Sequence, residues 1–240
     1  PTPAFWMMIV AIFGTTISPY LFFWQASQEV EEMRLHGLRS SEDSPSRTRR
    51  AVRRMRLDTI VGMVFSNGIA FFVILTAAVV LHTAGITDVQ SAAQAAQALR
   101  PLAGDFAFAL FAAGIIATGL LAVPVLASSA AYAVAEALGW AEGLEHTWRE
   151  AKEFYAIIVI ATVVGTALDF TPIDPMKALY WSAVINGVVA VPIMVAMMVL
   201  AGKPEVMGHL TVRRKTRFLG WGAVVVMAGA VVMMIRDLWR

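Results

Sequence analysis

The stretch GTTISPYLFF, residues 14–23, interrupts a segment that otherwise has the composition of a membrane-spanning helix. Residues 1–28 carry no formal charge, yet this stretch places a glycine, a proline and four hydroxyl side chains near the middle of the segment. Proline at position 19 lacks a backbone N–H, clashes with the carbonyl of Thr15, and pushes Ser18 out of helical geometry. The stretch therefore predicts a helix that is broken between Gly14 and Pro19.

A broken helix leaves carbonyl groups without their usual donors. In hydrocarbon such groups persist only where they line a cavity or bind something. In secondary transporters, freed carbonyls near the bilayer midplane coordinate cations. We favour a cation site at this break, and we keep open an ordinary proline kink whose carbonyls are satisfied by the hydroxyl of Thr15 or Thr16.

The composition is that of a membrane protein. Of the 240 residues, 58% are hydrophobic and only 15% are charged, whereas soluble domains are about 25% charged. The absence of cysteine excludes disulfides, Cys-ligated zinc and iron–sulfur clusters. The chain opens at Pro1-Thr2-Pro3 with no methionine and no visible signal peptide, and we interpret it as a partial chain.

Long charge-free runs predict an all-α, polytopic membrane protein with a single transmembrane domain over residues 1–240. An Ala- and Gln-rich stretch between the second and third runs predicts a short surface helix that ends at Pro101. The six predicted transmembrane helices cover about residues 3–28, 59–83, 104–138, 153–169, 176–202 and 217–237.

The basic residues are concentrated in alternate connections. The first, third and fifth connections hold fifteen of the nineteen Lys and Arg residues, eight of them in the first connection, residues 29–58. Cytoplasmic loops carry this excess, so these three connections are predicted to be cytoplasmic and both residue 1 and the C-terminus to be outside. The Arg-rich stretch 46–56 is better explained as this anchor than as a site for nucleic acid or anionic lipid.

Neutral polar groups inside the spans usually face other helices or a water-filled path. Thr118, Ser128 and Ser129 are best explained as contacts between helices. For Asn67 and Asn186, each followed by glycine, packing and an ion pathway are equally supported.

Enzyme classes find little support. The four histidines have no ligand spacing, and the methionine clusters are typical of packing rather than copper binding. No Ser-His-Asp set, phosphate loop or membrane-embedded carboxylate pair is visible. We expect neither an enzyme nor a bound prosthetic group.

The segment FGTTISPYLFFWQAS, residues 13–27, resembles the sixth transmembrane helix of the Nramp (natural resistance-associated macrophage protein) family of proton-coupled divalent metal transporters. That helix usually carries G-A-T-x-M-P-H-N. The chain resembles most the divergent Nramp-like branch, in which the helix reads T-x-P-x, and the resemblance covers the C-terminal half of a family member. Residues 58–75, 111–140 and 174–195 resemble the seventh, eighth and tenth helices in order, and the last span would be the eleventh. The resemblance implies the second inverted repeat of a LeuT-type fold plus one extra helix.

The resemblance also implies site residues. The family's metal-binding methionine falls on Ser18, its carbonyl-donating alanine on Thr15, and the histidine linked to proton movement on Tyr20. Asn186 is the counterpart of the polar residue that the tenth helix contributes. Tyr20 and Asn67 are further candidates for a proton or ion pathway. Loss of the thioether removes the softest ligand and favours harder ions such as Mg²⁺ or Mn²⁺.

The leading hypothesis is therefore a secondary transporter of divalent metal cations of the Mn, Mg or Fe type. The ion would be its substrate, and it would work by alternating access in a lipid bilayer, expected to be the bacterial inner membrane. The Asp-Pro-Gly-Asn motif of the first repeat is absent, so the missing N-terminal repeat is an expected partner. Two alternatives stay open: a transporter of an amino acid or amine on the same fold, and a non-transporting membrane fragment.

Overall fold

The computed structural model describes residues 3–35, 45–81, 85, 91–168 and 170–239. Every regular element among these residues is helical, which confirms the all-α prediction. Residue 1 and the C-terminal residue 240, both predicted to be external, lie outside the described residues. The helices are α1 (Pro3–Thr16), α2 (Pro19–Leu35), α3 (Pro45–Thr76, with a π-helical turn at Ala77–Leu81), α4 (Ala92–Leu138), α5 (Lys152–Leu168), α6 (Pro175–Ala201), α7 (Pro204–Met207) and α8 (Arg214–Leu238), and a 3₁₀ turn lies at Gly208–Leu210.

Five described segments are long and apolar enough to cross a membrane, which confirms a polytopic membrane protein. Helix α5, which corresponds to the fourth of the six predicted spans, has only 17 residues. At a rise of about 1.5 Å per residue it is about 25 Å long, shorter than a hydrocarbon core of about 30 Å. The five segments are Ala4–Leu35, Val52–Val79, Phe108–Leu138, Pro175–Ala201 and Arg214–Leu238.

Helix α4 is longer than the sequence indicated. It begins at Ala92, where the Ser91 side chain accepts a hydrogen bond from the Gln94 N–H at 3.1 Å. The helix continues through Pro101, so the prediction of a separate surface helix ending there is wrong. Alanine has the highest helix propensity, and a proline inside a long helix removes one hydrogen bond without always ending the helix.

The chain divides into two compact units. The first contains the residues up to Phe22 and from Leu168 onward. Its core forms where α1, α6 and α8 pack against one another. Small side chains at the contacts allow these helices to approach closely, as membrane helices commonly do. The buried residues of this core are Val10, Ala11, Val184, Ala230, Val231 and Met234.

The second unit runs from Phe23 to Ala167 and contains most of α2 with α3, α4 and α5. Its core is aromatic: the Tyr132 and Phe154 rings pack edge to face with centroids 4.8 Å apart, and Trp24 contacts Tyr132 in the same way. The apolar side chains of α3, among them Phe65 and Phe72, are exposed. An exposed apolar helix face of this kind suits contact with lipid.

Candidate metal site

Two residues, Ile17 and Ser18, interrupt the first span. Helix α1 ends at Thr16 and α2 begins at Pro19, and the backbone of Ser18 belongs to neither helix. Ser18 is only 3% exposed. Its hydroxyl lies 2.8 Å from the Thr15 carbonyl oxygen and 3.2 Å from that of Gly14. In a continuous helix those carbonyls would accept from the N–H groups of residues 18 and 19, and proline has none.

The neighbouring threonine hydroxyls are used elsewhere. Thr15 donates to the Ala11 carbonyl at 2.9 Å, and Thr16 donates to the Ile12 carbonyl at 3.0 Å. The carbonyls freed by Pro19 are therefore met by Ser18, not by the threonines that the proline-kink alternative required. A hydroxyl has one proton, so it fully satisfies one of the two carbonyls at a time.

The α1 residues before the break cross α6 at very short range. A Cβ placed on Gly14 would contact the Ala183 carbonyl oxygen and would lie 2.5 Å from the Gly187 nitrogen. A Cβ on Gly187 would lie 2.6 Å from the Val10 carbonyl oxygen. Both glycines are buried, and only residues without a side chain fit where these two backbones meet.

Asn186 precedes the crossing glycine on α6. Its side chain is half-buried and makes no hydrogen bond within the part of the chain that the structure describes. The first unit thus brings together Gly14, Thr15, Ser18 and the α6 turn that carries Asn186.

The oxygen atoms at the break form a compact set: two carbonyl oxygens and the Ser18 hydroxyl oxygen. Among the described residues, no group of three or more His, Cys, Asp or Glu side chains could hold a metal ion. The ligands that the described residues at the break offer to a cation are therefore neutral oxygens. Carbonyl and hydroxyl oxygens are preferred by hard cations such as Mg²⁺, Ca²⁺ and Mn²⁺.

The two pathway candidates have different surroundings. Tyr20 is half-buried in the first turn of α2, immediately after the break. Asn67 lies in the second unit, is exposed, and donates to the Met63 carbonyl of its own helix at 2.8 Å. Of the residues assigned to packing, Ser128 donates to the Pro124 carbonyl at 2.7 Å, Ser129 is buried and Thr118 is exposed.

Sequence reasoning missed a polar cluster in the second unit. The Glu31 carboxylate accepts a hydrogen bond from the Tyr132 hydroxyl at 2.5 Å, and Glu31 is only 8% exposed. The available indication was the three- and four-residue spacing of Trp24, Gln28 and Glu31, which places them on one face of α2.

The loop between α4 and α5 carries two glutamates with shifted pKa values. Burial raises the pKa of Glu142, and the nearby Glu136 carboxylate adds to the rise. In contrast, hydrogen bonds from the backbone N–H and the hydroxyl of Thr147, both 2.8 Å long, lower the pKa of Glu150. The loop therefore holds one carboxylate whose charge is stabilised and one whose charge is disfavoured.

Comparison with known proteins identifies the family of this chain. The family profile described as "Natural resistance-associated macrophage protein-like" matches residues 1–237. The chain belongs to the Nramp family.

Curated Nramp relatives are also similar along almost the whole chain. The divalent metal cation transporter MntH of Mycobacterium tuberculosis is 29% identical over 231 residues, which is 95% of this chain and 49% of the relative. MntH of Deinococcus radiodurans is 25% identical over 219 residues, which is 91% of this chain and 46% of the relative. The chain spans about half the length of these relatives.

Proposed function

We propose that this Nramp chain forms part of a secondary transporter of divalent metal cations, with the ion as its substrate. The observation that carries the proposal is the Ser18 hydroxyl, which bridges two carbonyls freed by a proline at a buried helix break. Membership of the Nramp family and similarity to proteins named as divalent metal cation transporters support the same conclusion.

In this proposal the ion replaces the proton of the Ser18 hydroxyl as the group that the carbonyls bind. The hydroxyl rotates, turns a lone pair toward the ion, and releases the carbonyl oxygens of Gly14 and Thr15. The exchange costs one ordinary hydrogen bond, about 1 kcal/mol. The side-chain oxygen of Asn186 completes the ligands supplied by this chain. Because every ligand that this chain supplies is an uncharged oxygen, a hard ion such as Mg²⁺ or Mn²⁺ fits better than a soft one.

The rest of the site and its orientation in the membrane follow from this function. The remaining ligands come from an N-terminal repeat outside residues 1–240, and transport proceeds by alternating access around the break. The Arg-rich connection 29–58 faces the cytoplasm of a bacterial inner membrane. Because Tyr20 stands where the family has a histidine, any proton coupling runs through other groups.

Uptake by the full-length protein in proteoliposomes tests this function. We expect uptake of Mn²⁺ and Mg²⁺ that Ser18→Ala lowers at least about tenfold, because the variant loses a ligand and leaves the two carbonyls without a donor. The matched control is Thr16→Ala, which removes a neighbouring hydroxyl that bonds back to Ile12 and is expected to retain uptake within about twofold.

The contrary outcomes are distinct. Uptake of an amino acid or amine without metal uptake would establish the alternative transporter. Metal uptake that Ser18→Ala leaves unchanged would support the function and overturn the assignment of Ser18. In the near-isosteric variant Ser18→Cys, a soft thiol replaces the hydroxyl, so we expect the preference to move from Mg²⁺ toward Cd²⁺.

A further inference from the structure

The second unit contains a polar cavity of about 210 Å³. Its walls come from α2, from α4 and from the α4–α5 loop, residues 139–151. The polar residues that line it are Ser27, Glu31, Arg34, Tyr132, Glu136 and Glu142. Three carboxylates and one guanidinium converge on this small space, and a cavity with convergent polar groups is a candidate functional site.

One set of hydrogen bonds ties the three elements together at this cavity. The Tyr132 hydroxyl donates to Glu31 at 2.5 Å, and Gln28 donates to that hydroxyl at 3.2 Å. The backbone N–H of Leu144, from the loop, lies 3.2 Å from the Glu31 carboxylate and 3.1 Å from the Tyr132 oxygen. Tyr132 is 1% exposed. Bonds to a buried charged acceptor are among the stronger ones in proteins.

The loop backbone can approach Glu31 only because residue 143 is glycine. Gly143 has a φ of +133°, a conformation that L side chains rarely adopt. A Cβ at this position would lie 2.9 Å from the Glu31 carboxylate oxygen that accepts both bonds. The left-handed Gly139, with φ +68°, begins the same loop.

The closed loop also contains a buried polar atom that lacks a hydrogen bond. One carboxylate oxygen of Glu142 is buried and has no hydrogen-bond partner among the described residues. Glu136 and Glu31 repel its charge, and Arg34 attracts it. Opening the loop would hydrate this group, whereas the hydrogen bonds to Glu31 oppose opening. The bonds to Glu31 thus favour the closed loop, whereas the buried oxygen of Glu142 that lacks a hydrogen bond favours an open one.

We propose that Glu31, Tyr132 and the Leu144 N–H form a latch that holds the α4–α5 loop closed over this cavity, and that the cavity opens when the latch breaks. With the proposed topology the latch closes the cytoplasmic side, and its place in the transport cycle rests on the proposed function. Helix α2 is continuous from Pro19 to Leu35. When the latch breaks, the C-terminal end of α2 is no longer held by the loop, and the whole helix can move.

A single cysteine tests the latch without any transport measurement. Residues 1–240 hold no cysteine, so in the full-length protein in membranes, with any cysteine outside these residues replaced by serine, Ser27→Cys places one reporter on the cavity wall. We expect a small hydrophilic maleimide to alkylate it about tenfold faster when Tyr132→Phe removes the donor to Glu31. Glu31→Leu removes the acceptor of these hydrogen bonds, and Gly143→Ala places a Cβ against the Glu31 side chain. Both variants are expected to give similar increases.

The matched control is Tyr155→Phe, which removes a hydroxyl that bonds the loop at the His146 carbonyl at 2.8 Å, outside the latch. We expect it to change the alkylation rate less than about twofold. Equal rates in the parent protein and all three latch variants would overturn the proposal, and so would an equal increase in the control. Because the readout is alkylation, failure of metal uptake in a parallel assay would count against the proposed function and leave the latch result intact.

Discussion

Gly14 lies where the backbones of α1 and α6 meet. The atoms that a Cβ at this position would meet are all backbone atoms, of Ala183 and Gly187. A Cβ at residue 14 would lie 2.8 Å from the Gly187 Cα and closer still to the Ala183 carbonyl oxygen. Backbone of a packed helix cannot move aside as a side-chain end can. We therefore expect Gly14→Ala to destabilise the protein by about 3 kcal/mol, the upper end for overpacked cores. For a chain of 240 residues this lowers Tm by roughly 6–12 °C, measured on the detergent-purified protein.

Gly222→Ala is the control for this substitution. Gly222 lies in α8 of the same unit, and a Cβ there meets nothing within 4 Å. Alanine in place of an unrestricted helical glycine is expected to raise stability by about 0.4–1 kcal/mol. If Gly14→Ala were as stable as Gly222→Ala, the close contact between α1 and α6 would be contradicted.

Individual residues differ in how far the sequence alone reveals them. The effect of Pro19 is local, because the missing N–H acts on a carbonyl four residues away, and this allowed an interruption near Ser18 to be predicted. The pairing of Glu31 with Tyr132 spans 101 residues. No local rule connects such positions, so the latch became visible only when helices α2 and α4 were placed together.

At the scale of helices, the break between α1 and α2 is expected to depend on one residue. Pro19→Ala restores the N–H that a continuous helix would donate to the Thr15 carbonyl. We expect stability to stay equal or rise, because a helix-breaking residue is gone, while uptake of Mn²⁺ falls about tenfold as the carbonyls become occupied. Thermal unfolding and proteoliposome uptake on the same preparation measure the two effects.

Pro192→Ala serves as the comparison for the helix break. Pro192 lies inside α6, which continues through it without interruption, and it is exposed. Its replacement is expected to leave uptake within about twofold of the parent, since one added intrahelical bond is worth about 1 kcal/mol and no ligand changes. If Pro19→Ala transported as well as Pro192→Ala, freed carbonyls would not be needed for transport.

The α4–α5 loop is expected to respond to pH through Glu142. Burial and Glu136 raise the pKa of this carboxyl in the closed loop, whereas in an open, hydrated loop it returns to about 4.3. Closing therefore takes up a proton. The closed form is favoured below about pH 4.3 and loses stability as pH rises through the raised pKa.

The reporter at Ser27→Cys measures this dependence. Alkylation relative to the same thiol in a Glu142→Gln protein is expected to increase with pH, because the thiol's own titration cancels in the ratio. The charged groups that face Glu142 are Glu31 and Arg34 on α2 and Glu136 on α4. A ratio that is constant or falls with pH would contradict the idea that deprotonation of Glu142 favours the open loop.

For the whole molecule, composition and hydropathy were enough to predict an all-helical polytopic membrane protein, because long apolar segments have few other stable forms in lipid. They did not locate the ends of every helix. Helix α4 continues through Pro101, where a helix end was expected, and α2 extends beyond the first charged residues to Leu35. Charges near a helix end lie in the interface, so charge-free runs mark where the hydrocarbon is and not where the helix stops.

The orientation of the whole molecule is expected to follow its basic residues. The connection between α5 and α6 holds no Lys or Arg. The connection between α6 and α8, taken with the first turn of α8, holds five, namely Lys203, Arg213, Arg214, Lys215 and Arg217. Thr171 and Glu205 are exposed residues in these two connections. With no cysteine in the chain, Thr171→Cys is expected to react with a membrane-impermeant maleimide in intact cells, and Glu205→Cys only after permeabilisation. The unsubstituted protein is the control for background labelling. The reverse labelling pattern would invert the proposed topology. Because the excess of Lys and Arg lies on alternate connections, the inverted topology would place both the latch cavity and the Arg-rich connection on the external side.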